Sequence, residues 1–213
     1  MKLKRLLITI AALFIALVFI GNSVAYNSAI GFSQAPTAAT VSYVDYNAAD
    51  QGASGAASPN TIKAFVDAIG SDNGTIVLRH NSGNATTPYT LTTSETIPAN
   101  ITLEVERGAV IALGASATLT IYSPENLDVL PDQQIVSGTG LLRFTTPGDI
   151  YLGWFGAVGD DPGDGSGTND AVALLAAIDC ARATYANNNG STLLGIPGRT
   201  YLSESALFVG GNT

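Results

Sequence analysis

Apolar residues follow three different spacings along the chain, and each predicts a different element. Leu6 to Ile20 is a continuous apolar run broken only by Thr9, with Lys2, Lys4 and Arg5 ahead of it and Gly21-Asn22-Ser23-Val24-Ala25 behind. A basic start, a short apolar segment and small residues before a cut site form the pattern of a secretory signal peptide. The run is shorter than the ~20 residues a helix needs to span a bilayer. The reading is therefore a leader cleaved after Ala25, not a retained anchor. Residues 26–57 are rich in Ala, Ser, Gly and Thr without a clear period, and read as a linker or loosely held lead-in. Helical spacing then begins: Ile62, Phe65, Val66 and Ile69 form one stripe. Ser58 is placed as N-cap, Pro59 as first helical residue and Gly70 as the stop.

After that helix the period falls to two. Thr75-Ile76-Val77-Leu78 reads as a short strand, and Ile101, Leu103 and Val105 alternate with Thr102, Glu104 and Glu106 as a half-buried strand with its acids outward. Val110-Ile111, Leu119-Thr120-Ile121 and Leu141 to Phe144 continue the series between Gly, Pro, Asn and Asp turns. A sandwich, a barrel and a solenoid all produce such pulses. An internal echo favours the solenoid. A second helix, Asp170 to about Tyr185, places Ala171, Leu174, Leu175, Ile178 and Ala181 on one side. It is followed by Asn189-Gly190, a strand at Thr192-Leu193-Leu194 and a Tyr201-led strand, as the first helix is followed by Asn73-Gly74, residues 75–78 and a Tyr89-led strand. A short helix ahead of short strands suits a cap over the open end of stacked repeats.

Composition narrows the function. Charged residues are 12% and hydrophobic residues 46%, which excludes a charge-rich disordered chain. The net charge of −8 conceals an asymmetry: after Ala25, six basic side chains face seventeen acidic ones. A body that acidic, without a basic stripe, excludes nucleic-acid binding. Cys180 is the only cysteine, so no internal disulfide forms, and its alanine-rich setting predicts a buried small hydrophobe.

The densest motif begins Trp154-Phe155-Gly156-Ala157-Val158-Gly159-Asp160-Asp161 and runs through a glycine-rich loop to Thr168-Asn169-Asp170. A small-residue helix follows, then Asn189-Gly190-Ser191-Thr192-Leu193-Leu194-Gly195-Ile196-Pro197-Gly198-Arg199-Thr200-Tyr201-Leu202. This succession resembles the opening of the pectate-lyase-like superfamily of right-handed parallel β-helices, in the rhamnogalacturonase/epimerase-type group that also includes phage tailspikes. Ile97 to Leu103 and Gly108 to Ile111 are similar to the lead-in of that element. The likeness is specific over 151–202 and looser over 74–213. Three departures stand out: Asp161 with the insertion Pro162–Gly167, Asn169 in place of the first of two aspartates, and Asn189-Gly190 in place of a double glycine.

The resemblance implies a mainly β fold, the start of a right-handed parallel β-helix (solenoid) with short capping α-helices. The expected organisation is a signal peptide at 1–25, a lead-in at 26–57, a helix plus short-strand solenoid-like region at 58–150, and the start of the β-helix domain at 151–213. It also implies the N-terminal part of a longer chain, with catalytic residues beyond Thr213 and none assigned here. The implied activity is that of a polysaccharide lyase, glycoside hydrolase or uronate epimerase, secreted or in the cell envelope. Polysaccharide is the expected partner, with no membrane contact once the leader is removed. Oligomerisation is part of the same expectation, a trimer if tailspike-like. The alternative is a noncatalytic surface solenoid, such as an adhesin, envelope or tail-fibre component; the export signal argues against a phage tailspike.

Physical chemistry assigns the motif structural work. Gly156 and Gly159 permit tight turns, Thr168 or Asn169 caps the second helix, and Asp170 in its first turn suits the helix dipole. Trp154 and Phe155 are expected to pack beneath that helix, since large aromatics dominate core area. Asp160, Asp161, Asp164 and Asp170 put four carboxylates within one glycine-rich stretch, which suits a hard cation such as calcium. The EF-hand template does not fit, because Pro162 and Ala171 occupy its third and twelfth positions; capping and solvated turns are the competing account. His80, the only histidine, lies beside Arg79 without a triad-like context, and Glu104 with Glu106 could pair for acid–base work or be ordinary outward charges. Mass spectrometry of the exported protein is expected to find Tyr26 as the mature N-terminus; an intact Met1 in the membrane fraction would refute the cleavage.

Overall fold

The structure is a computed structural model that describes residues 40–81, 85–185 and 191–204. A strand with one buried face hides every second side chain, and turn residues cut this chain into short strands of that kind. Among the described residues these are β1 (Thr40–Tyr43), β2 (Gly74–Leu78), β3 (Thr87–Leu91), β4 (Glu95–Ile97), β5 (Ile101–Val105) and β6 (Ala109–Leu113). There follow β7 (Thr118–Ile121), β8 (Leu127–Asp128), β9 (Val136–Gly138), β10 (Leu141–Phe144), β11 (Asp149–Tyr151) and β12 (Thr192–Leu194). Two α-helices accompany them, α1 (Ile62–Ile69) and α2 (Ala171–Tyr185). The protein is mainly β, with parallel strands in stacked sheets and few helices.

Sheet order is β1-β2-β5-β8, β3-β6-β9, β4-β7-β10 and β11-β12. Every pairing is parallel. From β2 to β10 three successive strands enter three different sheets before the chain returns to the first. Gly74 lies opposite Ile101, Thr87 opposite Ala109 and Thr118 opposite Leu141, steps of 27, 22 and 23 residues. Inner rows therefore stack like on like: Ile76, Leu103 and Leu127; Tyr89, Ile111 and Val136; Ile97, Ile121 and Phe144. These side chains belong to one core that also holds Trp154 and Cys180, with Leu127 packed against its edge. β5 buries Ile101, Leu103 and Val105, as the alternation predicts. β4, β8, β9 and β11 escape the periodicity reading because two or three residues are too few to display a period.

Between the strands, side-chain amides satisfy the backbone carbonyls that the corners leave without ladder partners. Asn126 Nδ2 donates to Ala99 O and Ile101 O at 3.0 and 2.9 Å. Gln133 Nε2, on a buried side chain, donates to Val105 O and Glu106 O at 2.7 and 2.9 Å. Asn100 does the same for Gly70 O and Asp72 O, joining the end of α1 to the next strand layer.

Helix α1 covers the end of the stack. Ile62 and Ile69 are buried, and Phe65 and Val66 pack against the core. Glu95, in the row that continues as Leu119 and Leu142, would be a charge in an apolar column. Lys63 of α1 lies 3.7 Å from it and pairs also with Asp67 at 2.9 Å. The helix starts later than the Ser58 N-cap reading expects. Thr61 is the N-cap, its Oγ1 accepting from Ala64 N at 3.1 Å, and Gln51 Oε1 accepts from Ile62 N at 3.2 Å. Ser58 and Pro59 lie in the preceding turn. Gly70 ends the helix as expected.

From residue 40 onward the lead-in is not loosely held. β1 pairs with β2, and Gln51 is fully buried, its backbone N–H donating to Thr90 O at 2.8 Å. Asp50 Oδ1 accepts from Gly52 N, Thr92 N and Thr93 N at 2.9, 2.9 and 3.2 Å, tying the lead-in to the turn after β3. Composition alone could not show this, because small polar residues serve flexible linkers and tight turns equally well. Burial works to raise the Asp50 pKa, but these hydrogen bonds, with one from the Thr93 side chain, outweigh it and hold the carboxyl well below its ordinary 3.8. A depressed carboxyl stabilises the fold above its unfolded pKa and less so as pH falls towards its folded one. In urea titrations Asp50→Asn should thus lie below wild type at pH 6, with the gap closing as pH drops below 3.8.

Candidate functional site

The motif loop at 156–159 is shaped first by glycine. Gly159 has φ of +63°, and a Cβ there would meet the Arg199 Cβ at 2.9 Å and the Tyr201 ring at 2.8 Å. Val158 N and Gly159 N donate to the two carboxylate oxygens of Asp170 at 2.7 and 3.1 Å. Asp170 is buried and immediately precedes α2; its own amide donates to Leu202 O at 2.7 Å and its carbonyl accepts from Leu174 N at 2.9 Å. One residue thus joins the loop, the helix start and the 200–202 segment. Its carboxylate serves the loop amides, and α2 begins after it with no acid in the first turn, which corrects the dipole reading of this side chain.

Capping belongs to Asn169, whose Oδ1 accepts from Ala171 N at 3.0 Å. Its Nδ2 donates to Glu204 Oε2 at 2.9 Å, a bond an aspartate could not make, and this gives the departure at 169 a physical reason. Thr168 instead serves Asp160, donating from N at 2.7 Å and from Oγ1 at 3.0 Å. The remaining acids of the loop are likewise turned to local backbone. Asp161 Oδ1 accepts from Gly165 N at 3.0 Å and Gly167 N at 3.4 Å, and Asp164 Oδ1 from Ser166 N at 3.0 Å. Bonds from the Thr168 amide and hydroxyl lower the Asp160 pKa, and bonds from the Ser166 hydroxyl and amide lower that of Asp164. Among the described residues no group of three or more His, Cys, Asp or Glu side chains is gathered so as to hold a metal ion. The four candidate ligands serve separate hydrogen bonds in one loop.

Beside this braced loop, and joined to it through Arg199, lies an open groove of about 560 Å³. Pro131 and Asp132 line it from the turn before β9, Tyr151 from β11, and Leu194, Ile196 and Arg199 from the segment after β12 starts. Arg199 Nη1 donates to Val158 O at 2.5 Å, and Ile196 N donates to Tyr201 Oη at 2.8 Å. Asp132 accepts from Arg107 Nη2 at 2.8 Å, and this bond holds its carboxyl below the usual range. An apolar floor with a few converging polar groups is the usual make-up of a ligand site.

The other candidates fall elsewhere. His80 N donates to Glu106 Oε2 at 2.9 Å, and His80 Nδ1 lies 3.1 Å from Thr87 Oγ1. Glu106 also lies 3.8 Å from Arg79 Nε, and the Arg79 guanidinium sits 3.7 Å over the Tyr43 ring. Glu104 stands on the outer row of its sheet between Val77 and Asp128. Trp154 is core: it is buried, donates from Nε1 to Leu130 O at 3.2 Å, and packs tilted against Tyr151 and Phe144. Cys180 is buried in α2, and burial pushes its thiol up to about 12. Helix α2 presents Leu174, Ala177 and Cys180 inward, while Leu175 of the expected stripe is exposed. Asn189 and Gly190 lie outside the described residues.

Compared with known proteins, the chain matches no family model, no curated protein and no solved structure. Periodicity and motif spacing do not reveal the groove, because its lining comes from three segments far apart in sequence. The only trace is Pro197-Gly198-Arg199, a cation in a turn next to the motif. Replacing Asp170 with alanine leaves two loop amides without their acceptor, which costs about 2–4 kcal/mol. Urea unfolding should show that loss, with Asp170→Asn losing less because one acceptor oxygen remains.

Proposed function

We propose that this chain is the opening portion of a secreted, polysaccharide-active parallel β-helix protein of the pectate-lyase-like kind. In this reading the stacked sheets are the faces of a right-handed solenoid, and α1 is its end cap. The observation that supports it most is the return of the chain to the same three parallel sheets at intervals of 22 to 27 residues. Such repeats form long flat faces along which an extended polymer can lie. The motif at 154–202 does scaffold work in this account: Asp170 and the two loop glycines join one layer to the next. The chemistry of a lyase, hydrolase or epimerase belongs to repeats farther along the stack. The excess of acidic side chains makes neutral glycans, or polyuronates bridged by cations, the compatible polymers.

Affinity electrophoresis of the exported protein through gels containing neutral polysaccharides or polyuronates, with and without calcium, tests the reading. Retardation by at least one polymer is the expected result. Unchanged mobility in every gel would reject polysaccharide as partner and favour the noncatalytic surface solenoid.

A further inference from the structure

Most of the described arginines are engaged by acids. Arg79 faces Glu106, Arg107 faces Asp132 and Arg143 faces Asp179. Arg199 differs. No described carboxylate lies within ion-pair distance of Arg199, which donates from Nη1 to Val158 O. Asp132 and Asp160 interact with it through space, and their oxygens bond elsewhere: Asp132 Oδ1 to Arg107, and both oxygens of Asp160 to Thr168. The guanidinium borders a groove of about 560 Å³, within the range of roughly 300–1,000 Å³ typical of small-molecule sites. Asp132, paired with Arg107, also lines the groove; the rest of the lining is largely apolar, with Tyr151, Leu194, Ile196 and Pro131 prominent.

We propose that this groove binds a small amphipathic carboxylate, with a ring or short chain against Leu194, Ile196 and Tyr151 and the carboxylate on Arg199. Two features select this ligand class. The planar guanidinium fork matches a carboxylate, and the apolar floor gains only from a ligand with apolar surface to bury. An inorganic anion uses the first feature alone, and a neutral aromatic only the second. Gly159 and Asp170 fix the backbone to which Arg199 is bonded, so the cation is positioned before a ligand arrives. The proposal stands apart from the polysaccharide reading, since its ligand is a monomer held in one groove and not a polymer laid along the sheets.

Titration of the whole chain by NMR or calorimetry with benzoate, benzamide, acetate and inorganic phosphate provides the test. Benzoate is expected to bind about tenfold more tightly than benzamide, the difference one charge-assisted hydrogen bond provides, and about tenfold more tightly than acetate, which has no ring to bury. In Arg199→Gln, benzoate should fall to the level of benzamide, and in Ile196→Asp it should be lost while the Arg199–Val158 bond stays. Equal binding of benzoate and benzamide to wild type, equal binding of benzoate and phosphate, or no binding of benzoate would each overturn the proposal. The wild-type comparisons decide the matter even if a variant does not fold.

Discussion

Parallel pairing, in near-constant steps from β2 to β10, is the constraint from which the rest of the structure follows. When a strand lies directly above the corresponding strand of the next layer, each inward position forms a column of similar side chains. A polar residue in such a column loses its water without gaining a partner. Between β2 and β10 the columns through Ile76, Tyr89 and Ile97 are accordingly apolar or aromatic, and Ser42 of β1, opposite Ile76, is the polar residue at the end of the first. Tyr89 meets the rule with its ring inside and its hydroxyl donating to Arg79 O at 2.8 Å. Glu95 breaks it only at the covered end, where Lys63 of α1 supplies the opposite charge.

Stacking satisfies strand backbone but not corner backbone. Asn100, Asn126 and Gln133 take over there, each giving its amide to carbonyls at the end of a preceding strand or helix. Glycine takes the remaining places where no side chain fits. At Gly138, with φ of +88°, a Cβ would lie 2.2 Å from Leu113 O. The corners therefore specify layer spacing as firmly as the apolar columns do, through hydrogen bonds instead of burial.

The loop and turn cluster around Asp170 joins scaffold to groove. Asp170 holds the 158–159 amides, Val158 O holds Arg199, and Gly159 leaves room for Arg199 and Tyr201. Acids that look like metal ligands in one dimension act as caps in three, because each meets a backbone amide of its own loop before it meets another carboxylate. The same economy explains Trp154, whose indole N–H finds Leu130 O within the core.

Much of this protein was legible in one dimension. Strands of four or five residues such as β5 and β10, the stripe of α1 and the glycines of the 156–159 loop are dictated by local sterics and by side-chain period, which the sequence carries directly. The inward face of α2 was not. The burial of Cys180 was expected from its setting, but an alanine-rich helix is nearly equally apolar all round, so only the neighbouring strands decide that Leu175 and Val172 turn out, the latter 81% exposed. Nor was the attachment of residues 40–57, which depends on Asp50 and Gln51 reaching amides and carbonyls some forty residues away. The groove at Arg199 belongs to the same class: its walls come from residues 131–132, 151 and 194–199, and only tertiary packing brings the guanidinium beside a largely apolar lining. Period and turn chemistry are properties of neighbours in the chain, whereas facing, capping and convergence are properties of neighbours in space.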